Sequence, residues 1–115
     1  MRKVIVIFLA ITALTTFAAE VTVKGYLVDI ACGTEEGSRP DFGIKHSRMC
    51  LQMPECEKSG YGVLTPDNKV IRFDHAGNEQ ARKFIAELKK NTDVKVAVTG
   101  AVSQESMTVS KIELQ

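Results

Sequence analysis

Five short segments that alternate apolar and polar residues, one amphipathic helical stretch between the third and fourth of them, and a length of 115 residues together predict a mainly β fold. The expected architecture is a five-stranded OB-like barrel in the order β-insert-β-β-α-β-β, with one helix and a short helical insert. A chain of this length forms one domain. Glycines at positions 25 and 100 fall inside the first and fourth strands, where a small barrel has to coil sharply.

Residues 1–18 are expected to be a cleaved signal peptide and not part of that domain. Arg2 and Lys3 give a positive start, Val4 to Phe17 is an apolar run relieved only by threonines, and Thr16 and Ala18 place small residues at the minus-three and minus-one positions. The run is about 14 residues, short of the roughly 20 that a membrane span needs. No cysteine stands at the cleavage point to carry a lipid. Residues 19–115 are therefore expected as a single periplasmic or secreted domain with no membrane span. Removing Arg2 and Lys3 from the fifteen basic residues leaves thirteen against fourteen acidic ones. No positive field remains for phosphate contacts, so nucleic acid is not an expected partner.

Val21, Val23 and Leu27 alternate with Thr22, Lys24 and Tyr26, which makes 21–29 the first strand. Residues 33–43 contain three glycines, a proline and several charges without periodicity, and read as loop. His46, Met49, Cys50 and Met53 then stand at i, i+3, i+4 and i+7, one face of a short helix that packs on the barrel and that Pro54 ends. Tyr61–Thr65 and Lys69–Asp74 form a hairpin around Pro66, Asp67 and Asn68, because proline presets the first corner of a turn and Asp and Asn bond their own backbone. Asn78 is the expected cap of a helix in which Ala81, Phe84, Ile85 and Leu88 share a face up to Asn91. Val94, Val96 and Val98 open the fourth strand. Met107–Leu114 closes the second hairpin, and its alternation slips near Ser110 or Lys111, which predicts a bulge there.

The chemistry concentrates in the insert, residues 31–58, which holds all three cysteines, Cys32, Cys50 and Cys56, and one of the two histidines, His46. In an exported chain thiols tend to pair, and three cannot all pair within one chain. Cys50 and Cys56 are separated by a proline turn that brings them close, while Cys32 to Cys56 would tie the base of the insert. Alternatively, Cys32, His46, Cys50 and Cys56 supply three thiolates and an imidazole, a closed tetrahedral set for zinc. Met49 and Met53 on the same face shift that choice toward copper(I). A nucleophilic or redox cysteine paired with His46 is the third chemistry, but no acid is evidently placed to orient the imidazole and no Cys-x-x-Cys is present. His75 reads as an exposed turn histidine, and Tyr26 and Tyr61 as half-buried packing residues.

Gly25-Tyr26-Leu27-Val28-Asp29 followed by Cys32, then His46, Cys50 and Cys56, then the stretches Ser59–Thr65 and Phe73–Asn78, resemble a group of small exported bacterial proteins that have an OB-like barrel and a Cys/His-containing insert. The resemblance spans most of residues 19–115. It implies export and the barrel, and it carries no activity. The sequence thus leads to an exported, non-enzymatic binding or structural module whose insert is held by a disulfide, with a small ligand, a metal or a protein as partner. The alternative is a periplasmic zinc- or copper-binding protein using Cys32, His46, Cys50 and Cys56, with Met49 and Met53 beside them.

Overall fold

The computed structural model describes residues 5, 7, 10 and 19–115. Apart from those three isolated positions, the signal peptide expected over 1–18 lies outside the described residues. Strands form where the alternation places them: β1 Val21–Asp29, β2 Tyr61–Leu64, β3 Val70–Phe73, β4 Lys95–Ser103 and β5 Ser106–Leu114. They close into a barrel in the order β1-β2-β3-β5-β4, with β4 returning to β1. Every pairing is antiparallel except a short parallel seam in which Arg72 faces Ser106 and Phe73 faces Met107.

Both strand glycines stand where a side chain would not fit. A Cβ on Gly25 would lie 2.1 Å from the carbonyl oxygen of Leu64, and one on Gly100 would lie 2.1 Å from that of Thr108. The expected bulge is present: Thr99 pairs with Lys111 and Gly100 with Val109, which leaves Ser110 without a partner. Leu27, Val63, Val96, Val98 and Met107 fill the interior, and Ala81, Ile85 and Leu88 complete it from the amphipathic helix.

Helix and strand each make up 35% of the described residues. The helical share equals the strand share because the insert folds into four short helices instead of one: α1 Ile30–Glu36, α2 Phe42–Lys45, α3 Arg48–Gln52 and α4 Pro54–Ser59. The first part of the expected loop is α1, because the Asp29 side chain accepts a hydrogen bond from the Cys32 backbone N–H and so caps a new helix. The expected helix through His46, Met49, Cys50 and Met53 is broken at its start. Ser47 caps α3 through the Cys50 N–H; α3 does stop ahead of Pro54, with Met53 extended as its C-cap, but Pro54 also starts a further helix, α4, at its first position. The four side chains therefore share no face, and Met49 and Met53 are 77% and 48% exposed, not packed on the barrel.

The long helix, α5 His75–Glu87, also begins and ends earlier than expected. Its cap is Asp74, whose Oδ1 accepts from the N–H groups of Gly77 at 2.9 Å and of Val109 at 3.2 Å, joining the helix start to β5. Asn78 lies within the helix and accepts from the Tyr61 N–H at 2.9 Å. His75 is exposed, as expected.

The insert is fastened to the barrel at several points. Ile30 N–H donates to Gly60 O, Arg48 N–H to Asn91 O, and Asp93 N–H to Ile44 O. Leu51 of α3 is fully buried in the main core, and its carbonyl accepts from the Tyr61 hydroxyl at 2.7 Å. No helix among the described residues is long and apolar enough to cross a membrane.

Candidate metal centre

Asp29 is the last residue of β1, and its partner across the ladder is Tyr61, the first residue of β2. The chain leaves the barrel at Asp29 for the insert and re-enters at Tyr61. Asp29 is 0% exposed and His46 8% exposed, the two buried polar side chains of the described residues. A carboxylate so placed has to find its hydrogen bonds inside the protein. Its Oδ2 accepts from Cys32 N–H at 2.9 Å, and its Oδ1 lies 2.7 Å from His46 Nε2.

Cys32 and Cys56 reach the same carboxylate because of how α1 and α4 pack. Cys32 occupies the third position of α1 and Cys56 the third position of α4. The Ala31 N–H donates to Ser59 Oγ at 3.1 Å, and Ser59 Oγ in turn donates to the Cys56 carbonyl at 2.6 Å. These bonds tie the start of α1 to the end of α4. One carboxylate oxygen of Asp29 and the two sulfurs consequently lie within 4.8 Å of one another.

Charge and burial set the protonation of this group. Burial by itself would raise the Asp29 carboxyl, but the His46 hydrogen bond, the Cys32 N–H and the positive charge His46 carries when protonated outweigh it and hold Asp29 down at about 2. Burial and the adjacent Asp29 carboxylate push the Cys32 thiol up to about 12, and the same two causes raise Cys56. Without a cation both sulfurs are therefore thiols. Tyr61, below them, is raised to about 12 by burial and by the negative charge of Glu57.

Of the residues that the sequence singles out, the structure brings Cys32 and Cys56 together and sets His46 behind them, bonded to Asp29. Cys50 is not part of the group. It lies half-buried in an open cleft of about 310 Å³ whose walls include His46, Arg39 and Lys45. Met49 and Met53 line a different hollow, beside Arg48 and Asn91. All three cysteines are unpaired, and none is within bonding distance of another, so the expected disulfide is not formed here.

Sequence reading misses Asp29, which looks like the polar end of a strand. The available signal is its spacing from Cys32: Asp-x-x-Cys places a capping carboxylate three residues before a helical N–H. That pattern predicts both the helix and the carboxylate beside the first sulfur, and supplies the acid that orients His46. No protein-family model, no curated protein and no solved structure matches this chain.

Proposed function

We propose that this protein is an exported, non-enzymatic binding module on an OB-type barrel, and that its insert holds a thiophilic divalent cation, zinc above all, through Asp29, Cys32 and Cys56. The observation that carries this reading is the mutual approach of one carboxylate oxygen and two sulfurs to within 4.8 Å at a buried position. Zinc accepts an oxygen and two thiolates at about 2.0 to 2.3 Å, which needs only small side-chain adjustments from that spacing. Two thiolates and a carboxylate around a divalent cation carry one net negative charge, which a protonated His46 cancels. His46 is also the outer partner that orients a ligating carboxylate. Copper(I) is less suited, because the donor set contains an oxygen and the exposed Met49 and Met53 lie elsewhere.

The test is zinc titration of the reduced protein against a chromophoric chelator, on wild type and on Cys32→Ser, Cys56→Ser and Cys50→Ser. One zinc per chain, lost in the first two variants and kept in the third while circular dichroism stays native, supports the site. No uptake by wild type, or equal uptake by all three variants, overturns it.

A second reading uses the same two sulfurs. In an oxidising compartment, the Cys32 and Cys56 thiols together give up two protons and two electrons to a small disulfide, which leaves as two thiols, and a Cys32–Cys56 bond forms. That bond would staple α1 to α4 and stabilise a small domain by about 3 kcal/mol. One free thiol per chain, mapped to Cys50, with no bound metal would favour the stapled module over the cation site.

A further inference from the structure

A second site lies along the first half of β1, beyond the end of β2. β1 pairs with β2 only from Tyr26 to Asp29 and with β4 only from Val21 to Tyr26. β2 ends at Leu64, and the chain turns away through Pro66 and Asn68. The first half of β1 is thus left without a strand on its β2 side. The insert does not close this gap, and a cleft of about 480 Å³ remains between β1, the insert and the β2–β3 turn. That volume is within the usual range for small-molecule sites.

The walls are chemically uneven. Tyr26 and Phe42, both half-buried, supply two aromatic rings, and buried Leu64 adds apolar surface. Lys24 from β1, Arg39 from the insert and Lys95 from β4 converge on the cleft from three separate elements, against one acidic side chain, Asp41. Among the described residues neither Lys24 nor Lys95 forms an ion pair, and the Arg39 pair with Glu36 is an exposed contact at 3.5 Å. Exposed pairs of that kind hold a side chain only weakly, so Arg39 is available to a ligand.

The aromatic wall is fixed in advance. A Cβ on Gly43 would fall 2.2 Å from the Tyr26 ring, so the backbone of α2 rests directly on one side of that ring. The Lys95 ammonium lies 5.8 Å from the ring centroid, within cation–π range. A ligand entering here meets a ring already backed on one side by α2 and two lysine charges that need not be released from carboxylates. Such preorganisation lowers the cost of binding.

We infer that this cleft binds a small organic anion with an aromatic or otherwise apolar body, its charge met by Lys24, Lys95 and Arg39 and its body lying against Tyr26 and Phe42. The site is independent of the proposed cation centre and needs neither cysteine.

Anilinonaphthalene sulfonate is a suitable probe, since it joins one negative charge to an apolar aromatic body and its fluorescence rises on binding. With the purified, natively folded protein the expected result is saturable binding of one molecule per chain. Added salt should weaken it, and the Lys24→Gln/Lys95→Gln double variant should weaken it about tenfold, as loss of charge contacts predicts. Lys83→Gln, on the exposed face of α5, should leave it unchanged, and all variants should keep the wild-type unfolding midpoint. Phe42→Ala, read in the same assay, should also lose affinity. Three outcomes overturn the inference: no saturable binding, equal affinity in the double variant, or equal affinity for the uncharged phenylnaphthylamine. The last would make the cleft merely apolar.

Discussion

His46 Nε2 stands 2.7 Å from Asp29 Oδ1, and the two residues join the end of a barrel strand to the middle of the insert. Asp29 is held at about 2 against 3.8 for a free aspartate. A carboxyl depressed on folding adds stability that is fully present above its unfolded value and is lost as pH falls through its folded value. The contribution is about 2 kcal/mol, present above roughly pH 4 and gone near pH 2. Asp29→Asn keeps the shape and much of the capping capacity but removes the charge, leaving His46 without its partner. We expect it to cost about 3 kcal/mol at pH 7 and to flatten the acid limb of the stability profile. Urea unfolding at pH 7 and at pH 3 checks both. A variant as acid-sensitive as wild type would show that the limb has another origin.

The three thiols should differ widely in reactivity. Cys32 is raised to about 12 and Cys56 is raised too, and only the thiolate attacks an alkylating agent. Cys50 sits half-buried at an open cleft. Iodoacetamide applied to the reduced, folded protein at neutral pH should therefore label Cys50 first. Cys32 should follow at least about a hundredfold more slowly, Cys56 should also lag, and both should speed up with rising pH. Peptide mass spectrometry over time distinguishes the order. Equal rates would mean that the Asp29 carboxylate does not govern the two sulfurs.

Because both sulfurs are thiols in the cation-free protein, zinc has to displace their protons. Binding at neutral pH should release about two protons per zinc, and affinity should rise up to about a hundredfold per pH unit. Calorimetry in buffers of different ionisation heat gives the proton count. Release of one proton or none would exclude joint ligation by Cys32 and Cys56.

The barrel was readable because its strands alternate, its hairpin carries Pro66-Asp67-Asn68, and the slip after Val109 marks the Ser110 bulge. These are local signals, and β4 and β5 follow the alternation most clearly, whereas β2 is buried at all four of its positions. The insert was harder. The spacing of His46, Met49, Cys50 and Met53 fits a helical period, but periodicity assumes a continuous backbone, and Ser47 interrupts it by capping the next turn. Pro54 is equally ambiguous, since proline is tolerated at the start of a helix and excluded from its interior. Asp29 was missed for a different reason. Its partners, His46 and Cys56, are distant in sequence, and only folding brings them together.

Gly43 offers a direct test of how firmly the insert rests on β1. Alanine there would place a Cβ 2.2 Å from the Tyr26 ring. The clash reaches the root of the ring as well as its edge, so α2 and Tyr26 have to move apart. Gly43→Ala should cost about 2 kcal/mol, in the range typical of overpacking. Thermal unfolding measures the loss, and an unchanged midpoint would mean that α2 can shift without cost.

Asp29 and Tyr61 face each other across the β1–β2 ladder, so the segment 30–60 is in topological terms an overgrown hairpin loop. Lengthening a loop whose ends are already adjacent is cheap, about 0.6 kcal/mol for each doubling. The strand pairing would close as well around a tight turn as around four helices. Side-chain packing would not, because Leu51 reaches back from the insert into the barrel interior. A shortened ancestor with a plain turn is thus permitted by the backbone. It would have needed another residue to fill the place of Leu51, and it would have had neither the two sulfurs nor the Phe42 wall.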